Sequence, residues 1–362
     1  MKVSQLYTYP IKSLRPVSLT TAELTRHGFP HDRRFMLLKV HPADPSSGTE
    51  ARLENIHVAH FPETVLFLQE IVFTDKGDPS TGHIVVTFKP PQGSEGQEQK
   101  LEIPLTPHPK DMKVIDVVMH SSPAKAYNMG SYYNSWFSEC LEYPVIFAYL
   151  GPHLRPVLGN LSPNATGQNA GTASSWLSSI TKNIPAVIGG MNKGEEGITF
   201  ADCAAYLVVT EESLQDVSSR LPEGEEMDMT KFRPNIVLTG SPTAWDEDFW
   251  GEVTVTSSKV SNKAMGIEEA NITLTQNCAR CKSINIDYAT GKPGKGEAGS
   301  ILKKLMKDRR VDGGTKYSPI FGRYGFLKAG TSEGPRIAVG DEVTVSKRNE
   351  QRTKFDWPGL TN

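Results

Sequence analysis

Asn277-Cys278-Ala279-Arg280-Cys281-Lys282-Ser283-Ile284-Asn285-Ile286-Asp287 is the stretch whose reading decides the fold. It sets two of the four cysteines three positions apart, with an arginine between them. The alternation Ile284, Ile286, Tyr288 predicts a strand after the pair. A thiolate is a good ligand for soft or redox-active metals, and a neighbouring cation favours the thiolate. Cys278 and Cys281 are therefore the first candidates for metal or redox chemistry. A structural zinc needs four ligands, yet there is no second close cysteine pair and the last histidine is His153. A thioredoxin-like dithiol needs a helix after the pair, not a strand. Two buried structural thiols remain an open reading of the pair taken alone.

Outward from the pair the chain reads as strands. Ala204–Val209 is a buried strand running into a helix, with Thr210 as N-cap, Glu211 and Glu212 in the first turn, and Leu214, Val217 and Leu221 on one face. Ile236–Leu238, Glu252–Ser257, Ile272–Thr275, Phe326–Leu327 and Val343–Val345 are further strands, and residues 299–310 a short amphipathic helix. Toward the N-terminus, Val3–Tyr9, Arg34–Leu38, His83–Phe88 and Val145–Leu150 read as strands and Asn134–Cys140 as a helix. Residues 151–183 are rich in Gly, Pro, Asn and Ser and read as a linker or long loop. Short strands separated by turns predict an α+β, mainly β chain with a barrel-like, mainly antiparallel sheet. The expected division is 1–150, a linker at 151–183, a second domain at 184–348 and a tail at 349–362.

The totals exclude several classes. A chain of 362 residues predicts about two domains. Lys and Arg total 39 against 41 acidic residues, so no basic excess points to nucleic acid. No apolar run is long enough for a membrane span. The N-terminus reads as a strand, not as a targeting segment, so no membrane anchor and a cytoplasmic location are expected. Four cysteines do not make a disulfide framework in a chain of this length.

The pair does not stand alone. Tyr9-Pro10-Ile11-Lys12-Ser13-Leu14 and Asp32-Arg33-Arg34-Phe35 lie near the N-terminus. Thr199-Phe200-Ala201-Asp202 and Phe232-Arg233-Pro234-Asn235 precede the pair, and Phe321-Gly322-Arg323-Tyr324 follows it. Taken singly, Lys12 and Arg33 are solvated charges, Arg233-Pro234-Asn235 a turn and Tyr324 a core aromatic. In this order, over nearly the whole chain, they resemble the MOSC family, and within it the members with an N-terminal MOSC β-barrel domain, such as the amidoxime-reducing components.

That resemblance implies an antiparallel β-barrel MOSC domain packed against a strand-rich N-terminal barrel domain. It also implies a molybdenum–molybdopterin cofactor, with Cys281 as the metal ligand and Cys278 as a neighbour. Lys12, Ser13, Arg33, Arg233, Asn235, Ala279, Arg280 and Tyr324 would line the cofactor. The chemistry agrees: a phosphate monoester carries about two negative charges that Lys and Arg can hold. Thr210 and Ser213 are expected to offer hydroxyls to it, with the acids of that turn facing solvent. Asp202 is a candidate proton donor beside the metal, and a turn-stabilising aspartate is its plainer reading. The implied function is reduction of N-hydroxylated compounds such as amidoximes or hydroxylamines. Electrons would come from a separate cytochrome b5-type protein and its reductase. A cofactor carrier without turnover, and sulfur transfer through a Cys281 persulfide, are the alternatives.

Overall fold

The computed structural model describes residues 1–43, 46, 48, 50–75, 81–163, 196–257, 268–328 and 334–361. Seven strands close a barrel. Around its wall they run Lys2–Thr8, Ile236–Thr239, Tyr206–Thr210, Ile320–Leu327, Glu268–Ala279, Trp250–Ser257 and Glu342–Arg348, which returns to Lys2–Thr8. All neighbours are antiparallel except Tyr206–Thr210 with Ile236–Thr239. A parallel pair needs a crossover, and the helix Glu211–Ser218 and the 3-10 turn Met229–Phe232 provide it.

Alternation along each strand sends side chains to two cores. Val208, Leu238, Val253, Val255, Ile272 and Leu274 belong to the larger core. Leu207, Val209 and Val237 point the other way and pack with Val217, Phe232, Ile301, Leu305 and Phe321. Arg323 is fully buried in the wall. It donates to Asn277 Oδ1 at 2.8 Å, to the carbonyls of Leu274 and Trp250 at 2.9 Å, and to Thr353 Oγ1 at 2.6 Å. Burial pushes its pKa down to about 10, so it stays charged at neutral pH and is held by neutral acceptors.

The second strand system has its own core. A five-stranded antiparallel sheet runs Arg52–Asn55, Phe35–His41, Val145–Tyr149, Ser122–Asn128 and Val114–Met119. The Asn55 amide donates to the Val118 carbonyl at 2.8 Å, joining the two edge strands and bringing the sheet close to closure. A meander, Phe67–Phe73, Gly82–Phe88 and Gln99–Pro104, and the helix Ser131–Leu141 bury Phe67, Ile84, Phe137 and Phe147 together.

Several details differ from the sequence reading. Lys2–Thr8 lies in the stretch expected to build the N-terminal domain, yet it is a wall strand of the C-terminal barrel, because it pairs with Ile236–Thr239 and Glu342. The cysteine pair closes the long strand Glu268–Ala279, and the alternation after it forms a 3-10 turn, Lys282–Asn285, before the short strand Ile286–Asp287. Ile284 and Ile286 are both buried but in different clusters, Ile284 with Phe232 and Phe321 and Ile286 with Val58 and Val65, and Asn285 Oδ1 between them accepts from the Leu302 amide at 3.0 Å. The late helix is only Ile301–Leu305. Residues 164–183 of the expected linker lie outside the described residues, and Arg155–Pro156 pairs with Gly197–Ile198. The expected tail packs against the barrel through buried Phe355 and Trp357.

Thr210 caps its helix as expected, accepting from the Ser213 amide at 3.2 Å. Its hydroxyl and that of Ser213 both donate to Glu247 Oε2, at 3.2 and 2.9 Å. Glu247 is fully buried, and burial raises its pKa to about 7 against the pull of Ser213. The folded protein thus holds this proton more tightly than the unfolded chain, and stability falls as pH rises from the ordinary glutamate range through 7. We predict that Glu247→Gln abolishes a loss of on the order of 2 kcal/mol between pH 5 and 8. Thermal melts of parent and variant across that range check this; parallel pH dependences would refute it.

Candidate functional site

The chain passes between the two cores at Thr8–Leu14, and the cationic residues gather there. Asp32 fixes the crossing: its Oδ1 accepts from the Tyr9 amide at 2.8 Å and from Thr8 Oγ1 at 3.2 Å. Its Oδ2 pairs with Arg33. Tyr9 is wholly buried, with the Arg33 guanidinium 4.6 Å and the Arg233 guanidinium 4.4 Å from its ring centre. Both are cation–π contacts. Ser13, Arg33 and Arg233 all adopt left-handed backbone, with φ of 75°, 52° and 56°. That conformation is uncommon for residues other than glycine and concentrates at functional sites.

Lys12 is buried and pairs with Asp202 across the two halves of the chain. Burial lowers the Lys12 pKa against the opposing pull of Asp202. The Asp202 side chain is 54% exposed, and His120 Nε2 lies 3.3 Å from its Oδ1. Desolvation alone would raise its pKa, but Lys12 and His120 outweigh it and hold the carboxyl well below its ordinary range. Asp202, expected as a proton donor, is therefore a carboxylate at neutral pH. Burial pushes Arg233 down, and its Nη1 donates to the Leu14 carbonyl at 2.8 Å. Its Nη2 and the Tyr9 hydroxyl are buried without a partner among the described residues. Lys12, Arg33, Arg155 and Arg233 face two carboxylates, Asp32 and Asp202, within mutual electrostatic reach. The positive excess and the two orphaned polar atoms suit an anionic group of about two charges.

Cys281 lies at the turn after the long wall strand and is exposed, with Sγ 3.3 Å from Ser283 Oγ. Arg280 holds that turn. Its Nε donates to the Phe321 carbonyl at 3.1 Å and its Nη2 to the Phe232 carbonyl at 2.8 Å, the residue before Arg233. Cys278 is buried, and burial raises its pKa with Tyr324 hydrogen-bonded to it. Burial, then Cys278, Cys203 and Asp202, raise Tyr324 well above the ordinary phenol range, which places Asp202, Tyr324 and the cysteine turn in one neighbourhood. Ala279, half-buried, pairs with Ile320 just before the turn.

Four expected contacts are committed elsewhere. Asn235 is buried; its Oδ1 accepts from Leu207 N and Arg33 Nη1, both at 3.2 Å, and its Nδ2 donates to the Tyr7 carbonyl at 3.2 Å. Its carbonyl oxygen positions Arg33. Ser13 Oγ donates to the Ile56 carbonyl at 2.9 Å. Thr210 and Ser213 are consumed by Glu247. Of the two acids in that turn, Glu212 does not face solvent freely, because its Oε1 accepts from the Gly240 amide at 2.6 Å. The open groove lined by Met1, Lys2, Thr239, Gly240 and Glu342–Thr344 shares no residue with this cluster.

Two family profiles match this chain: the MOSC N-terminal beta barrel domain over residues 1–144, and the MOSC domain over residues 195–344. The chain belongs to the MOSC family. It is similar to mitochondrial amidoxime-reducing component 1 of Mus musculus, at 26% identity over 94% of this chain and 81% of that protein. The Homo sapiens protein of the same name is 25% identical over 94% of this chain and 82% of its own length. A molybdenum cofactor sulfurase of Oryza sativa subsp. japonica is 23% identical over 95% of this chain, which spans 35% of that protein. Among the described residues, no helix is long and apolar enough to cross a membrane.

Sequence reasoning missed Asp32, Arg155 and His120 as members of this cluster. Asp32 could have been found as the partner of Arg33 beside it. Arg155 lies on the short strand Arg155–Pro156 and His120 at a hairpin tip, neither with a local signal, and only the fold brings them to Asp202. Of the four thiols, Cys203 and Cys278 are buried and raised by burial, and burial, then Glu139, pushes half-buried Cys140 up to about 12. We predict one fast-reacting thiol per chain in the folded, metal-free protein. Thiol titration should give a single fast equivalent that Cys281→Ser removes; a fast phase that survives in the variant would contradict the assignment.

Proposed function

We propose that this protein is a molybdenum–molybdopterin oxidoreductase that reduces N-hydroxylated compounds of the amidoxime or hydroxylamine type. The observation that carries the reading is the convergence of Lys12, Arg33 and Arg233 on a buried crossing with orphaned Arg233 Nη2 and Tyr9 hydroxyl, next to the turn of exposed Cys281. Lys12, Arg33 and Arg233 hold the anionic end of the cofactor, Cys281 ligates its metal, and Arg280, Ala279 and Tyr324 line that ligand. Asn235 acts behind Arg33. When bound, the cofactor supplies two-electron redox chemistry at the metal. The protein supplies charge, orientation and protons. Electrons come from a separate cytochrome b5-type donor and its reductase, in line with relatives named amidoxime-reducing components. A cytoplasmic location belongs to the same proposal; the named animal relatives are mitochondrial components.

The test is molybdenum content by mass spectrometry after expression in a host that makes the cofactor. Near-stoichiometric metal is expected in the parent. Arg233→Ala should lower it at least several-fold, since truncating a charged hydrogen-bonding partner of an anion costs about 2 kcal/mol or more. Cys281→Ser should lose metal or change its ligation. With a reconstituted donor chain the loaded parent should reduce an amidoxime. Full loading without turnover would favour a cofactor carrier, and sulfane sulfur on Cys281 would favour sulfur transfer. Absence of molybdenum from the parent would end the reading altogether.

A further inference from the structure

Resting on that reading, we propose that His120, carried on a strained hairpin of the N-terminal domain, delivers protons beside the Lys12–Asp202 pair, with Asp202, Arg155 and Trp357 as its positioning residues. The hairpin joins Val114–Met119 to Ser122–Asn128, and both tip residues are left-handed, His120 at φ 51° and Ser121 at φ 63°. Such turns ordinarily take Asn or Gly. Strain of this kind persists only where the surroundings hold it.

Three contacts hold it. The Trp357 indole, fully buried, donates to the His120 carbonyl at 2.6 Å. Arg155 Nη2 donates to the Met119 carbonyl at 2.9 Å, one residue before His120. Arg155 Nη1 donates to the carbonyls of Thr199 at 3.3 Å and Ala201 at 2.5 Å, just before Asp202. One buried guanidinium, with no carboxylate bonded to it, therefore fixes both the imidazole and the carboxylate it meets. The third contact is between those side chains, His120 Nε2 and Asp202 Oδ1. With Nε2–H donating to Asp202, Nδ1 is left to take up a proton and pass it on, and no bond to another described residue occupies it.

The chemistry requires such a group. Reduction of an N–OH compound breaks the N–O bond and forms an N–H bond, and the oxygen leaves as water. It consumes two electrons from the donor protein and two protons. Asp202 is held ionised and Lys12 is tied to it. His57 also faces this cluster; burial, then His60 and Lys12, push it down to about 4, so it is uncharged at neutral pH. The hairpin's own charged pair, Lys125 and Asp116, is engaged with itself. His120, with a side chain 30% exposed, is the remaining imidazole in contact with Asp202 among the described residues.

The experiment compares the parent with His120→Gln and His120→Asn, the second because asparagine tolerates left-handed backbone. Molybdenum content and melting temperature accompany kinetics with benzamidoxime. Expected are parental metal loading, kcat lower by 10²-fold or more with little change in KM, an altered pH profile, and partial rescue by added imidazole. Nitrogen-15 spectra of the metal-free protein should show a fixed Nε2–H tautomer at His120 that Asp202→Asn releases. Parental kcat and pH profile in both variants, loss of metal together with activity, or a mixed tautomer in the parent would each overturn the proposal. A parent that loads molybdenum but never reduces an amidoxime overturns the reductase reading and this inference together. An active parent with indifferent His120 variants overturns this inference alone.

Discussion

The structure depends on a single crossing. Thr8–Leu14 leaves the closed barrel and enters the core of the second domain, with Ile11 and Leu14 buried on the far side. A backbone that crosses between cores cannot use either sheet's ladder throughout, so its polar groups need other partners. Asp32 takes the Tyr9 amide, the Phe35 carbonyl takes the Lys12 amide at 2.8 Å, and Gln69 Oε1 takes the Ile11 amide at 2.9 Å. Once Asp32 is buried for that purpose it needs a cation, and Arg33 supplies it. The cationic cluster thus grows from a demand of the backbone.

The same demand sets the electrostatic balance. Four buried or half-buried cations share two carboxylates and two aromatic faces. The left-over positive charge sits where desolvation is expensive, as the downward pressure on Lys12 and Arg233 shows. A cluster in that condition suits an anion, which would replace the missing solvation.

How far the sequence could be read follows from what each residue does. Strands with regular alternation, such as Trp250–Ser257, declared themselves through period-two burial. The pair Tyr206–Thr210 and Ile236–Thr239 was visible as strands, but their parallel sense depends on the crossover and not on local pattern. The cations Lys12, Arg33 and Arg233 were legible as motif members, since charge type and order survive in one dimension. Asn235, Ser13, Thr210 and Ser213 were legible as polar residues only. Their hydrogen bonds point into the protein, and direction is a property of the folded chain. Arg155 and His120 carried no signal because nothing in their own segments marks them. Their importance comes from a short strand and a hairpin tip that meet only after both domains have formed.

The barrel closes between Lys2 and Glu342, and Trp357 then reaches back to the hairpin of the other domain. Contacts of such sequence separation form late, because the loop entropy between them must be lost first. Lys2–Thr8 can pair early with the neighbouring Val17–Leu19, but its wall partners, Ile236–Thr239 and Glu342, lie far along the chain. The crossing directly after that strand gathers Lys12 and Arg33 with Asp202 and Arg233, so it is assembled only once both halves of the chain are in place.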